Sequence, residues 1–248
     1  RAGPNKGLPR ARDRRYPTGE NKRASVLQVL TQTLTAIFDS VPSITEQASS
    51  RYARIDWETR GALREPAGPE EVLIVNAHDF PPEGDDCDAR VVGASYKLGW
   101  RKFICHGYVG QRFLGCGFGA ESTDVVIDAY GSTGDYLASG LDGATVIVHG
   151  NAQDQVAQIL KNGRLVVHGD VGQTFMYGAK GGSVFVEGNA AGRPLINAVG
   201  KPRAVINGTC LDFLAESFMA GDPLTGGGFV VLNGIRFDDD GSVVDLDT

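Results

Sequence analysis

The chain has 248 residues, 42% of them hydrophobic and 22% charged, with 34 glycines, 11 prolines, four cysteines and a formal net charge of −6. That balance suits a globular domain and excludes a disordered Gly/Pro linker, and no apolar run reaches the 18 residues a membrane span needs. Four cysteines without CxxC spacing (Cys87, Cys105, Cys116, Cys210) argue against a secreted disulfide scaffold and read as reduced thiols of a cytoplasmic protein.

Residues 1–24 form the first unit, an extended basic arm. Residues 1–23 hold eight basic side chains against Asp13 and Glu20, which leaves 16 basic and 28 acidic beyond them. The arm lacks interleaved aromatics apart from Tyr16, and the acidic body would repel phosphate. An acidic partner protein fits it better than a nucleic acid. The first residue is Arg, not Met, so the chain reads as starting inside a longer one.

The second unit, 25–70, opens with Ser25 as a helix cap. Val26, Leu27, Leu30, Leu34, Ile37, Phe38 and Val41 follow at helical spacing, and Pro42 closes the run. The remainder, with "EPAGPEE", reads as a linker. "EVLIVNA" (71–77) is a strand, and "NAHDFPPEGDDCDAR" (76–90) reads as a surface loop with solvated acids around His78.

From residue 71 the chain repeats. Short β-branched runs each close on a glycine: Gly107, Gly131, Gly150, Gly169, Gly188, Gly208 and Gly234, with intervals of 24, 19, 19, 19, 20 and 26 residues. Nineteen residues with two or three glycine corners match one coil of a parallel β-solenoid. Positive φ at the corners is the expected reason for glycine. In this frame the glycines of "GDVGQTFMYGAKGG" (169–182) are expected to be corners, each with a counterpart one coil earlier or later. "GAKGGS" comes near a P-loop without its spacing. "GCGFGA" (115–120) satisfies the dinucleotide fingerprint, but a turn and a strand follow it where that motif needs a helix. Gln153 stands where the pattern predicts glycine, so a bulge is expected there. "DDDG" (238–241) between apolar pairs signals a hairpin, and 238–248 is set apart as a C-terminal hairpin and tail.

One polar column precedes the closing glycines: His106, Tyr130, His149, His168, Glu187, Asn207 and Asn233. Three readings stay open for it: a ladder of side chains bonded to one another, a metal site on His106, His149 and His168, or contact with a partner's active site. The ladder is favoured, since stacked side chains point the same way whereas a metal needs convergence.

The glycine-cornered units, "YGSTGDYLASGLDGATVIVHGNAQDQ", "HGDVGQTFMYGAKGGSVFVEGNAAGRP" and "DPLTGGGFVVLNG", resemble the GXGXG domain that closes the large (alpha) subunit of glutamate synthase, here as a stand-alone subunit. The resemblance covers about residues 71–237 and implies an all-β fold, a right-handed parallel β-helix behind an N-terminal arm and helix. It implies a non-catalytic scaffold subunit of a multi-subunit oxidoreductase, with no catalytic or cofactor-binding residue of its own. FMN and iron–sulfur clusters would belong to a partner subunit, and glutamine hydrolysis to a class II amidotransferase subunit. A similar β-helix subunit accompanies the molybdenum or tungsten enzyme formylmethanofuran dehydrogenase, which is the alternative; a His-ladder metal site with its own catalysis is a further one. Loops 108–119, 173–181 and 189–200 are the expected contact surfaces, through Arg112, Phe118, Phe175, Tyr177 and Arg193.

Overall fold

The structure, a computed structural model, describes residues 22–46, 51–234, 236–237 and 243–244. Nearly all of the expected basic arm, and the hairpin turn expected at 238–241, fall outside the described residues.

Nine strands build one parallel sheet in which every neighbour is also the next strand in sequence. They are β1 (Tyr52–Ile55), β2 (Val72–Asn76), β3 (Lys102–His106), β4 (Val126–Tyr130), β5 (Asp142–Val148), β6 (Asn162–Val167), β7 (Ser183–Val186), β8 (Arg203–Ile206) and β9 (Phe229–Leu232). Parallel neighbours in strict order require the chain to return to the same end after each strand. The nineteen-residue period is the length of one strand together with that return. β10 (Arg236–Phe237) and β11 (Val243–Val244) pair antiparallel as a separate ribbon.

Register explains the alternation of the apolar runs. Leu73, Phe103, Ile127, Val146, Leu165, Val184 and Ala204 pair in one line, and Val75, Cys105, Ala129, Val148, Val167, Val186 and Ile206 in a second. Both lines are buried. The residues between them lie on the opposite face, as the period of two requires; from β3 to β8 they are half-buried or exposed, while Ile74 of β2 is buried there too. Each fully buried Val, Leu or Ile contributes roughly 1.5–3 kcal/mol, and the crossovers add Leu137, Val156, Leu160, Phe175 and Leu195 to the same core.

The crossovers are bonded coil to coil as well. Thr133, Ala152, Val171 and Ala190 pair in a parallel row just past the closing glycines. Further round, each coil carries three positive-φ residues at alternate positions: Tyr136, Ala138 and Gly140, then Gln155, Ala157 and Ile159, then Thr174, Met176 and Gly178. In Gln155, Ala157 and Ile159 the N–H groups donate in turn to Gln173 of the next coil, Leu137 of the preceding one and Tyr177 of the next. These bonds offset the strain of holding a β-branched residue such as Ile159 at φ 48°.

Four sequence expectations change. The sheet starts before residue 71, because β1, inside the stretch read as linker, pairs with β2. "DARVVGASYK" is a helix, so α1 (Arg23–Asp39) is followed by α2 (Asp88–Lys97), and Asp88 is buried in its first turn instead of solvated in a loop. Ser25 lies inside α1 and does not cap it; the N-cap is Lys22, without a side-chain bond. The bulge expected at Gln153 falls elsewhere, as a register shift between Asp142 and Thr145 where Gly143 takes φ 142°.

Candidate functional site

The polar column ends successive strands, where the outgoing side chains must stack at the inter-strand spacing of about 4.8 Å. Tyr130 lies over His149 at 4.2 Å between ring centroids, and His149 over His168 at 5.2 Å, with rings nearly parallel. Phe38 of α1 closes the line at the other end, 5.0 Å from His106 and 5.1 Å from Tyr130. The polar atoms are taken up locally. His149 Nε2 sits 2.9 Å from Asp128 Oδ1, His168 Nδ1 lies 3.1 Å from Glu187 Oε2, and Asn233 Nδ2 donates to Asn207 Oδ1 at 2.7 Å.

Rings stacked face to face aim their nitrogens sideways, not toward a common point. Among the described residues, no group of three His, Cys, Asp or Glu side chains converges as metal ligands would. The thiols are separate too. Burial raises the Cys105 thiol far above its usual range and pushes Cys116 up to about 12, so both are held protonated.

His106 differs from its neighbours. It is 2% exposed, and neither ring nitrogen has a hydrogen-bond partner among the described residues. Burial pushes its pKa down to about 4, against the opposing pull of Asp39, whose carboxylate lies 3.8 Å away. Burial wins and the ring is neutral near pH 7, so this contact is no ion pair. Asp88 is its counterpart among acids: burial raises it to about 7, and the first-turn N–H groups and the Tyr108 hydroxyl only partly counter this.

A second ladder runs beside the first and is missed by the sequence reading. Asn151 Oδ1 accepts from Asp170 N–H, Asp170 Oδ1 from Asn189 N–H, and Asn189 Oδ1 from Thr209 N–H, at 2.8–3.0 Å. Its signal was present: Gly150, Gly169 and Gly188 are each followed by Asn or Asp.

The closing glycines themselves divide. Gly107, Gly131 and Gly234 adopt positive φ as expected, whereas Gly150, Gly169, Gly188 and Gly208 do not. They are glycine for space. A Cβ on Gly169, Gly188 or Gly208 would stand 2.6 Å from the carbonyl oxygen of the equivalent glycine one coil back.

The expected contact residues divide as well. Phe118 packs 4.9 Å from Tyr96, and Phe118 and Phe175 are both buried in the core. Neither is available to a partner, because the loops carrying them turn their apolar side chains inward. Arg112 is held within the chain by Glu83 at 2.8 Å and Asp135 at 3.3 Å. Tyr177 and Arg193 are exposed; Asn197 Nδ2 donates to the Tyr177 hydroxyl, and the Arg193 guanidinium lies over Phe213.

A family model for the GXGXG motif matches residues 103–238, from β3 to just past β10. No curated protein and no solved structure matches the chain.

Proposed function

We infer the role of this chain from the family it belongs to, the GXGXG motif family, which is that of the domain closing the large chain of glutamate synthase. We propose that it is a non-catalytic scaffold subunit of a glutamate-synthase-like oxidoreductase complex, and that its coils close into a right-handed parallel β-helix. Right-handed crossovers are the rule for parallel strands of one sheet, and the coil-to-coil bonds in the crossovers support closure.

The observation that carries the scaffold role is the polar column. The groups best suited to chemistry, His149, His168 and Glu187, are engaged by Tyr130, by Asp128 and by one another along the stack. A nucleophile, base or metal set needs groups aimed at one external point; here His149 faces Asp128 on the preceding strand and His168 faces Glu187 past the following one. The flavin and iron–sulfur chemistry then belongs to a partner subunit, and ammonia release to an amidotransferase subunit.

The test is purification from the native source under mild conditions, with identification of every associated chain and cofactor. A flavin and iron–sulfur subunit in fixed ratio supports the proposal. A molybdenum or tungsten pterin enzyme in its place moves the chain to a different complex. A homogeneous chain that turns over substrate unaided overturns the scaffold role.

A further inference from the structure

The chain is acidic overall, yet one trough on the stack is lined by cations that no carboxylate among the described residues pairs with. Lys161 and Lys180 occupy equivalent positions nineteen residues apart, and Lys201 follows on the next coil, each within three residues of the start of β6, β7 or β8. With Arg203, Asn162 and Ser183 they border an open trough of about 370 Å³ floored by Gly181, Gly182 and Gly200. Arg164 flanks it, since Arg164, Ser183 and Arg203 pair in register. Lys161, Lys180, Lys201, Arg164 and Arg203 are exposed, and none forms an ion pair among the described residues. Elsewhere the exposed or half-buried cations Arg51, Arg90, Arg101, Lys102 and Arg112 each face a carboxylate. Lys97 and Arg193 also lack a carboxylate partner among the described residues, but singly; the trough is where such cations gather on successive strands.

We propose that this trough is a docking surface for a short acidic segment of a partner protein. Three coils span roughly 10 Å at the sheet spacing, which is room for two or three carboxylates of an extended peptide. Two carboxylates of the chain itself stand outside the lining, one toward each end: Asp142, opposite Asn162 on the preceding strand, and Asp222, which shares the adjoining depression with Lys201. A continuous polyanion such as RNA would run into both, and into a body carrying 28 acidic against 16 basic residues beyond residue 23. A compact phosphate is disfavoured too, because the N–H of Gly181 is already donated to Leu160 O and that of Lys201 to Lys180 O, so the loop offers little backbone cradle.

The inference rests on reading the chain as a docked subunit and names the contact chemistry. The test uses the full chain and a fluorescein-labelled decapeptide containing four consecutive glutamates, read by fluorescence anisotropy. Binding should weaken steeply between low salt and ~0.3 M. Lys180→Glu, and more so Lys180→Glu with Lys201→Glu, should weaken it by about tenfold or more, while Lys97→Glu on α2 leaves it unchanged. These are surface positions, and an unchanged circular dichroism spectrum confirms that the variants fold. Equal loss with Lys97→Glu, no peptide binding at low salt, or tighter capture of a single-stranded oligonucleotide or phosphatidylserine vesicle by the same lysines would overturn the proposal. Native copurification reads the scaffold role separately, so failure of one is told from failure of the other.

Discussion

Two kinds of glycine stand in this chain for different physical reasons, and substitution separates them. Gly169 lacks room: an added methyl meets Gly150 O at 2.6 Å, together with the Asn151 side chain, across the coil interface. Gly169→Ala is expected to cost more than about 2 kcal/mol, as overpacking against rigid backbone does. Gly140 has φ 68° and open space around its Cβ position, so Gly140→Asn, which tolerates that conformation, should cost under about 1 kcal/mol; urea unfolding compares the two. The buried titratable pair makes a second residue-scale prediction. Asp88, raised to about 7, keeps its proton in the folded chain while the unfolded chain loses it near the ordinary 3.8. The folded state then holds more protons between those values, and stability falls as pH rises from about 4 to 7. His106, lowered to about 4 from 6.5, works the other way: its contribution is present above 6.5 and is lost as pH falls toward 4. The two slopes oppose each other below 6.5. Asp88→Asn should therefore abolish the decline between 6.5 and 7.5 and expose the His106 slope beneath it, with a change on the order of 4 kcal/mol at most. A pH series of unfolding midpoints reads this directly.

The elements differ in how much of them is secured by neighbours. α1 lies against the stack mainly through its C-terminal end, where Phe38 is 8% exposed while Val29 and Ile37 remain 60% and 53% exposed. Phe38→Ala should release this helix: about 3 kcal/mol is lost locally, with faster amide exchange over α1 and little change in β4–β8. The Asn151–Asp170–Asn189 ladder acts on the strands themselves. Asn189→Ala leaves the Thr209 N–H without its acceptor and should cost about 1–3 kcal/mol, measured by thermal unfolding. α2 and β1 escaped the sequence reading for local reasons. "PPEGDDC" supplies strong loop signals just before α2, and the four-residue β1 is bracketed by polar and breaker residues; β1 is held by the sheet it joins and α2 by burying Val92 in the core, not by propensity alone.

At the scale of the molecule, the sheet is nearly one-dimensional, each strand pairing only with the one before and the one after in sequence. Deleting one whole period, residues 150–168, joins His149 to Gly169 and brings β5 next to β7 with every inward side chain still inward. That variant should fold with a native-like circular dichroism spectrum and a cooperative melt. A ten-residue deletion from the same place breaks the return length and should not. The sequence by itself determined the repeat, the strands that carry it, the inward apolar lines and the polar column, because a fixed period places equivalent residues at equivalent points of every coil. It did not determine why four of the closing glycines are glycine, that Phe118 and Phe175 face inward, that an Asn/Asp ladder bonds coil to coil, or that Asp88 and His106 are buried without full partners. Those depend on distances between residues one period apart, and only stacked backbones about 4.8 Å from one another bring such atoms close enough to exclude a Cβ, complete a hydrogen bond or strip away water.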